Sequence, residues 1–192
     1  RIRFARQGVT LRAGAVSMSP DWRPSATLEV LRLRARLLAR VRHFFAVRDV
    51  LEVETPTLSA AATPAPHLAS FALEYAGPRG PASGRLYLHT SPEYPMKRLL
   101  AAGSGSLYQL CRVFRDGEAG ARHNPEFTLL EWYRVGFGLD RLIDEVEALL
   151  RSVLVGLRSL PAAERYRYRD LFLRYAGVDG LTAPPADLRA CL

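Results

Sequence analysis

Apolar side chains recur at three- and four-residue spacing from Val30 through Leu33, Leu37, Val41 and Phe44, while Arg32, Arg36, Arg40 and Arg48 fall largely on other faces. That period predicts an amphipathic helix, with Thr27 placed to cap its N-terminus. The β-rich run at residues 50–54 predicts a strand, which Pro56 stops. Residues 57–84 carry Pro64, Pro66, Pro78 and Pro81 and read as loop, with room for a short strand over residues 71–75. A strand is expected at residues 86–89. A helix should follow from Pro92 to about Ala102, capped by Ser91 and stopped by Gly103. Residues 107–114 and 126–135 read as strands on either side of a polar loop at 115–125. A strongly amphipathic helix is expected over residues 139–157, then a short strand and a helix after Tyr166, and a last helix near Pro185. Residues 1–26 show little periodicity. Strands that suit antiparallel pairing, with helices between them, argue for an α+β fold rather than a wound βαβ sheet.

Composition bounds the class. With 192 residues, 48% hydrophobic and 24% charged, the chain is globular and is one domain or part of a larger one. No apolar run approaches the ~18 residues that a membrane-spanning helix needs, and no apolar stretch follows the basic start as a secretory signal requires. Cys111 and Cys191 match no disulfide or zinc pattern, so buried thiols in a reducing cytoplasm are expected. The net charge of +8 suggests a polyanion partner, but all of the excess lies in residues 1–50, and residues 51–192 are balanced. Lys97 is the only lysine beside 26 arginines; with so much alanine this resembles a codon bias. Met18 is a candidate start, and removing residues 1–17 would take away four arginines and no acids.

The chemistry concentrates on the two strands around the polar loop. The loop holds Arg115, Asp116, Glu118, Arg122, His123 and Asn124, with Gly117 and Gly120 permitting tight backbone. Along the second strand side chains alternate, so Phe127, Leu129, Glu131 and Tyr133 share one face and Glu126, Thr128, Leu130 and Trp132 the other. Glu131 lies amid apolar neighbours, and a carboxylate so placed needs a cation or hydrogen-bond donors. An aromatic, a carboxylate and a tyrosine beside an arginine-bearing loop suit a ligand with a flat ring, phosphates and an amine. An ordinary charged hairpin carries the same pattern, and the arginine excess alone points equally to nucleic acid.

Three segments then resemble a known family. Phe114-Arg115, His123-Asn124-Pro125-Glu126-Phe127-Thr128 and Glu131-Trp132-Tyr133 resemble motif 2 of class II aminoacyl-tRNA synthetases in its lysine-type form. Val53-Glu54-Thr55-Pro56 resembles motif 1, near the dimer interface in that class. Thr90-Ser91-Pro92-Glu93-Tyr94-Pro95-Met96-Lys97-Arg98-Leu99 resembles the amino-acid-binding segment of lysyl enzymes. The wording is most similar to the elongation factor P–lysine ligase family, lysyl-tRNA synthetase paralogues without an anticodon-binding domain.

That resemblance implies an antiparallel sheet flanked by helices, in a homodimer formed through the motif 1 region. It implies adenylation of (R)-β-lysine or lysine with ATP and Mg2+, and transfer to a lysine of elongation factor P in the cytoplasm. No membrane is implied, and tRNA is not expected as a partner. It implies that Arg115 is catalytic at the α-phosphate, where transition-state charge develops. ATP would also meet Asp116, Gly117, Glu118, His123 at the distal phosphates, Asn124, and Phe127 against adenine. The substrate's amino groups would meet Ser91, Pro92, Glu93, Glu131 and Tyr133, with Glu131 and Tyr133 receiving the ε-ammonium.

Two departures qualify this. Lysyl-tRNA synthetases commonly carry Arg-Asn-Glu where this chain has Arg115-Asp116-Gly117, and the acid stands one place later at Glu118. Nothing before Leu192 resembles the arginine-bearing motif 3 or the acidic metal ligands of the class. Residues 22–192 are therefore expected to be the N-terminal part of the catalytic domain, residues 1–21 an extension, and the chain alone inactive. The alternative is part of a true lysyl-tRNA synthetase. A non-catalytic binding protein on the same fold, or a basic nucleic-acid module, fits less of the motif set.

Overall fold

The computed structural model describes residues 24–78 and 80–191, and the unpatterned stretch with Met18 and the first arginines lies outside them. Helix α1 (Leu28–Ala46) begins where Thr27 was expected to cap it, its Oγ1 accepting the Val30 N–H at 3.3 Å. Strands β1 (Leu51–Glu52), β2 (Leu58–Ser59), β3 (Ala72–Glu74) and β4 (Arg85–Leu88) follow, then α2 (Glu93–Ala101), β5 (Leu107–Phe114) and β6 (Glu126–Tyr133). Helices α3 (Leu139–Leu154), α4 (Tyr168–Ala176) and α5 (Pro185–Ala190) complete the order.

Among the described residues, two three-stranded sheets result. One is ordered β1-β5-β6 and the other β2-β4-β3. The β5–β6 hairpin is antiparallel in full register from Leu107↔Tyr133 to Phe114↔Glu126. The second sheet is antiparallel throughout, whereas β1 joins β5 in parallel. The wholly antiparallel expectation therefore misses one edge strand.

One face of the hairpin is the core. Phe44, Phe45, Val50, Tyr108 and Leu149 cluster there, backed by Val41, Leu130, Trp132, Ala148 and Val153. Phe45 is wholly buried; it stacks on Tyr108 with centroids 4.4 Å apart and meets Phe44 edge-on at 5.3 Å. Such pairs add roughly 0.5–1.5 kcal/mol beyond area burial. The Glu145 carboxylate of α3 is buried as well, but Trp132 Nε1 donates to it at 3.1 Å and the Arg134 guanidinium lies 3.1 Å away, so the charge is compensated. Because side chains alternate, this packing turns Glu131 and Tyr133 to the opposite face.

Several expectations need correcting. The helical stripe predicted Val30 on the buried side, but Val30 is 52% exposed and Phe45 takes the innermost place. The buried apolar contacts of α1 lie in its C-terminal half, while Arg34, nearer its start, reaches the sheet only through a hydrogen bond to Thr128 Oγ1 at 2.7 Å. Ser91 does not cap α2: Pro92 holds the N-cap position without a side-chain bond, and Ser91, one residue earlier, accepts the Glu93 N–H at 3.0 Å. Gly103 does follow the helix, with φ of 87° in the left-handed region. Strand β2 was read as loop, β6 ends at Tyr133 and α3 at Leu154, and no strand precedes α4 after Tyr166 among the described residues. Cys111 is half-buried but Cys191 is exposed, so only one thiol is sheltered; both are free. Among the described residues, no helix is long and apolar enough to cross a membrane.

Candidate active site

Strand β4, the turn into α2 and the inner half of β6 meet at one place. Glu131, near the middle of β6, faces away from the core. Its Oε2 accepts from Ser91 Oγ at 2.6 Å and its Oε1 from Tyr133 Oη at 2.6 Å. The Ser91 hydroxyl thus accepts from the Glu93 backbone while donating to Glu131, which fixes its orientation. Burial pushes the Tyr133 hydroxyl well above its usual range, and the hydrogen bond to Glu131 adds to this, so it stays a donor. An ionised carboxylate offers about four lone-pair directions. The two hydroxyls leave roughly half of them for a cation.

The setting of this triad is ordered by neighbours. Pro92 and Thr90 are buried. Gln109, opposite Glu131 in the register, is buried and accepts from Thr55 Oγ1 at 2.9 Å. Burial pushes the Cys111 thiol up, the Glu131 charge adds, and a bond from Gln109 opposes. Glu93, in the first turn of α2, is 2.6 Å from Lys97 Nζ. The five residues expected at the amino end of a substrate, Ser91, Pro92, Glu93, Glu131 and Tyr133, therefore fall on two adjoining pieces of chain.

The second group lies at the β5–β6 turn. A cavity of about 670 Å3 is lined by Arg115, Gly117, Glu118, Ala119, Arg122, His123, Asn124 and Phe127. Gly117 has φ of 78°, which a side chain would strain. Gly120 and His123 exchange backbone hydrogen bonds at 3.0 and 3.3 Å, tightening the loop. The Arg115 guanidinium sits over the Phe127 ring, 5.0 Å from its centroid. Its Nε donates to the Thr90 carbonyl at 3.4 Å, and Glu118 lies 3.8 Å from its Nη1. The Thr90 carbonyl belongs to the segment that carries Ser91, so Arg115 and the carboxylate triad are tied through one residue.

Six of the seven expected nucleotide residues line this cavity. The seventh, Asp116, does not; its backbone N–H bonds the Ala69 carbonyl at 2.9 Å, turning it toward the neighbouring loop. Sequence reasoning gave no individual role to Thr90, Arg122 and Lys97, although it named them within their segments, and none to Ala119. Arg122 was visible as a loop cation, and the four-residue spacing from Glu93 was a signal for Lys97. A separate cavity of about 540 Å3, lined by Arg151 and residues 155–160, lies at the end of α3 and shares no residue with this group. Among the described residues, no group of three or more His, Cys, Asp or Glu is placed to hold a metal ion.

Fold and site together define a class of protein. A family profile for tRNA synthetases class II (D, K and N) matches residues 18–179, and the chain belongs to that family. A crystal structure assigned as an aspartyl-tRNA synthetase of Leishmania major Friedlin superimposes with a TM-score of 0.55 over 66% of this chain and 23% of that one, at 23% identity. That likeness concerns the fold alone. Nearer relatives carry one particular name. The chain is 51% identical over 169 residues to an elongation factor P–(R)-beta-lysine ligase of Mannheimia succiniciproducens, covering 88% of this chain and 51% of that protein. It is 52% identical over 175 residues to the ligase of that name from Yersinia enterocolitica, covering 91% and 52%. A third, from Haemophilus ducreyi, is 49% identical over 168 residues, covering 88% and 50%. The chain spans about half the length of the curated relatives it matches.

Proposed function

We propose that this chain supplies the amino-acid pocket and part of the nucleotide pocket of an ATP-dependent ligase that activates (R)-β-lysine, or lysine, and passes it to a lysine of elongation factor P. The observation that carries this is the Ser91–Glu131–Tyr133 triad, with both carboxylate oxygens oriented by hydroxyls, tied through Thr90 to Arg115. The names of the curated relatives support it.

The chemistry follows from positions. Glu131 and the Tyr133 oxygen take the ε-ammonium, and Glu93 with Ser91 the second amino group. The substrate carboxylate is then held toward the β5–β6 turn. There the aromatic Phe127, the cations Arg115 and Arg122, and His123 suit a base and phosphates. A carboxylate oxygen attacks the α-phosphorus; the new O–P bond forms as the bond to the β-phosphate oxygen breaks, and pyrophosphate leaves. No side chain forms a covalent intermediate, so the protein works by positioning and by placing Arg115 where negative charge grows. The amine of the acceptor lysine then attacks the carbonyl carbon of the acyl-adenylate; the amide C–N bond forms as the C–O bond to AMP breaks, AMP leaves, and the amine's proton goes to solvent.

Residues 22–192 are read as part of one class II catalytic domain, with residues 1–21 an extension ahead of it. The exposed apolar side chains at the start of α1, Leu28, Val30 and Leu31, support a homodimer formed around this region. Mg2+ would accompany ATP, and the cytoplasm is the compartment where ATP and the acceptor meet.

The test uses the full-length gene product. Given ATP and (R)-β-lysine, it should add one β-lysyl group to a lysine of elongation factor P, read by intact-protein mass. Efficient charging of lysine tRNA with elongation factor P left unmodified would make it a tRNA synthetase instead.

A further inference from the structure

Lys97 is the one lysine among 27 basic side chains, and it stands beside the proposed amine pocket. Its Nζ lies 2.6 Å from Glu93 Oε1, with the two side chains 54% and 46% exposed. An i,i+4 pair on a helix is ordinary in itself. Its surroundings are not. The two carboxylates of the pocket are held in different ways: Glu131 has a neutral hydroxyl on each oxygen, whereas Glu93 holds a protein ammonium. The Lys97 ammonium is held above its usual range, first by Glu93, and the charge of Glu131 contributes too. The ammonium therefore stands in the field of both acids.

We propose that Lys97 is a displaceable stand-in for the substrate's second ammonium, holding Glu93 in the free enzyme and yielding it when the α- or β-amino group arrives. This rests on the reading of Glu93 as an amine-binding residue. The charge balance favours it. A lysine-type amino acid brings two ammonium groups to two carboxylates, and with Lys97 bound to Glu93 only one carboxylate is uncompensated. The residue type favours it as well. An ammonium on a flexible four-carbon stem is a point charge that releases a carboxylate easily, whereas a guanidinium at position 97 would grip it with a planar fork. The half-exposed stem leaves room to swing outward.

The experiment measures ATP–pyrophosphate exchange by full-length enzyme carrying Lys97→Met or Lys97→Arg. The ligands are (R)-β-lysine and 6-aminohexanoate, the latter tested as substrate or competitive inhibitor. It keeps the ε-ammonium but has no second amino group. Lys97→Met should lower KM for (R)-β-lysine roughly twofold to fivefold, the range expected for losing an exposed ion pair as a competitor. It should change the apparent affinity for 6-aminohexanoate much less, since Glu131 acts on Lys97 more weakly than Glu93 does, and it should not lower kcat. Lys97→Arg should raise KM for (R)-β-lysine alone. Equal changes with both ligands, or a fall in kcat at constant KM, would overturn the proposal, since Lys97 would then act as a general charge or touch the reacting groups. Glu93→Gln separates the underlying reading: it should weaken (R)-β-lysine and spare 6-aminohexanoate. If it weakens neither, the assignment of Glu93 fails, whatever Lys97 does.

Discussion

At the scale of single residues, Glu131 is the residue proposed to select the substrate. Its two hydroxyl partners orient it and leave lone pairs that suit a cation. Glu131→Gln keeps the shape and removes the charge. It should raise KM for lysine-type substrates roughly tenfold to a hundredfold, the cost of losing a bond to a charged group, while the dissociation constant for ATP, measured by calorimetry, stays within about twofold. Equal losses for both would remove its assigned role. Glu52 offers a pH test of stability. Burial works against its ionised form, but bonds from Tyr108 at 2.7 Å and Arg42 at 3.0 Å outweigh it and hold the carboxyl below its usual range. A lowered folded pKa stabilises above the unfolded value, about 4.3, and the benefit is lost as pH falls through the folded one. Glu52→Gln should therefore be less stable than the parent at pH 7, by no more than about 1 kcal/mol for so exposed a pair. Urea unfolding across a pH series should show the gap closing below about pH 4.

The pocket was legible at this scale because its residues belong to short contiguous segments. Alternation along β6 separated Glu131 and Tyr133 from Leu130 and Trp132 before any coordinates. It could not show that Ser91, forty positions away, donates to Glu131. Nor could it show that Asp116 turns out of the loop to bond Ala69. Those are tertiary facts, set where the chain just after β4 meets the end of β5 and the Phe114 N–H donates to the His89 carbonyl at 3.1 Å.

At the scale of elements, helices and the hairpin followed their periodicity closely, and short strands did not. A two-residue strand such as β2 has no period to read, and it exists because β4 offers Tyr87 and Leu88 as partners. The parallel edge of β1 was likewise invisible, since two residues carry no signal of pairing direction and the partner β5 lies more than fifty positions away. The burial of α1 was misjudged toward its start because an amphipathic pattern says which face is apolar, not how much of it meets a partner. The contact that matters is its last turn. Phe45 sits among Phe44, Tyr108 and Trp132. Phe45→Ala should cost about 3–5 kcal/mol, a large share of a typical domain's 5–15 kcal/mol. Thermal unfolding followed by circular dichroism checks it. A loss under about 1 kcal/mol would mean that α1 is not packed on the hairpin.

At the scale of the whole molecule, the balance of charge changes meaning. The excess of positive charge in residues 1–50 first invites a nucleic acid. Part of it lies on α1, where it is put to structural use: Arg40 donates to the Val153 and Val155 carbonyls at and just past the end of α3, Arg34 to Thr128 of β6, and Arg42 to Glu52. Arginines so engaged build the domain rather than advertise a polyanion site. The family to which the chain belongs includes enzymes for aspartate, lysine and asparagine, and the central claim is that this pocket selects a lysine-type amino acid. ATP–pyrophosphate exchange by the full-length gene product, run with (R)-β-lysine, lysine, aspartate and asparagine in turn, tests it most directly. Exchange should depend on (R)-β-lysine or lysine and fall to background with aspartate and asparagine; exchange driven by aspartate or asparagine, with none for either lysine, would contradict it.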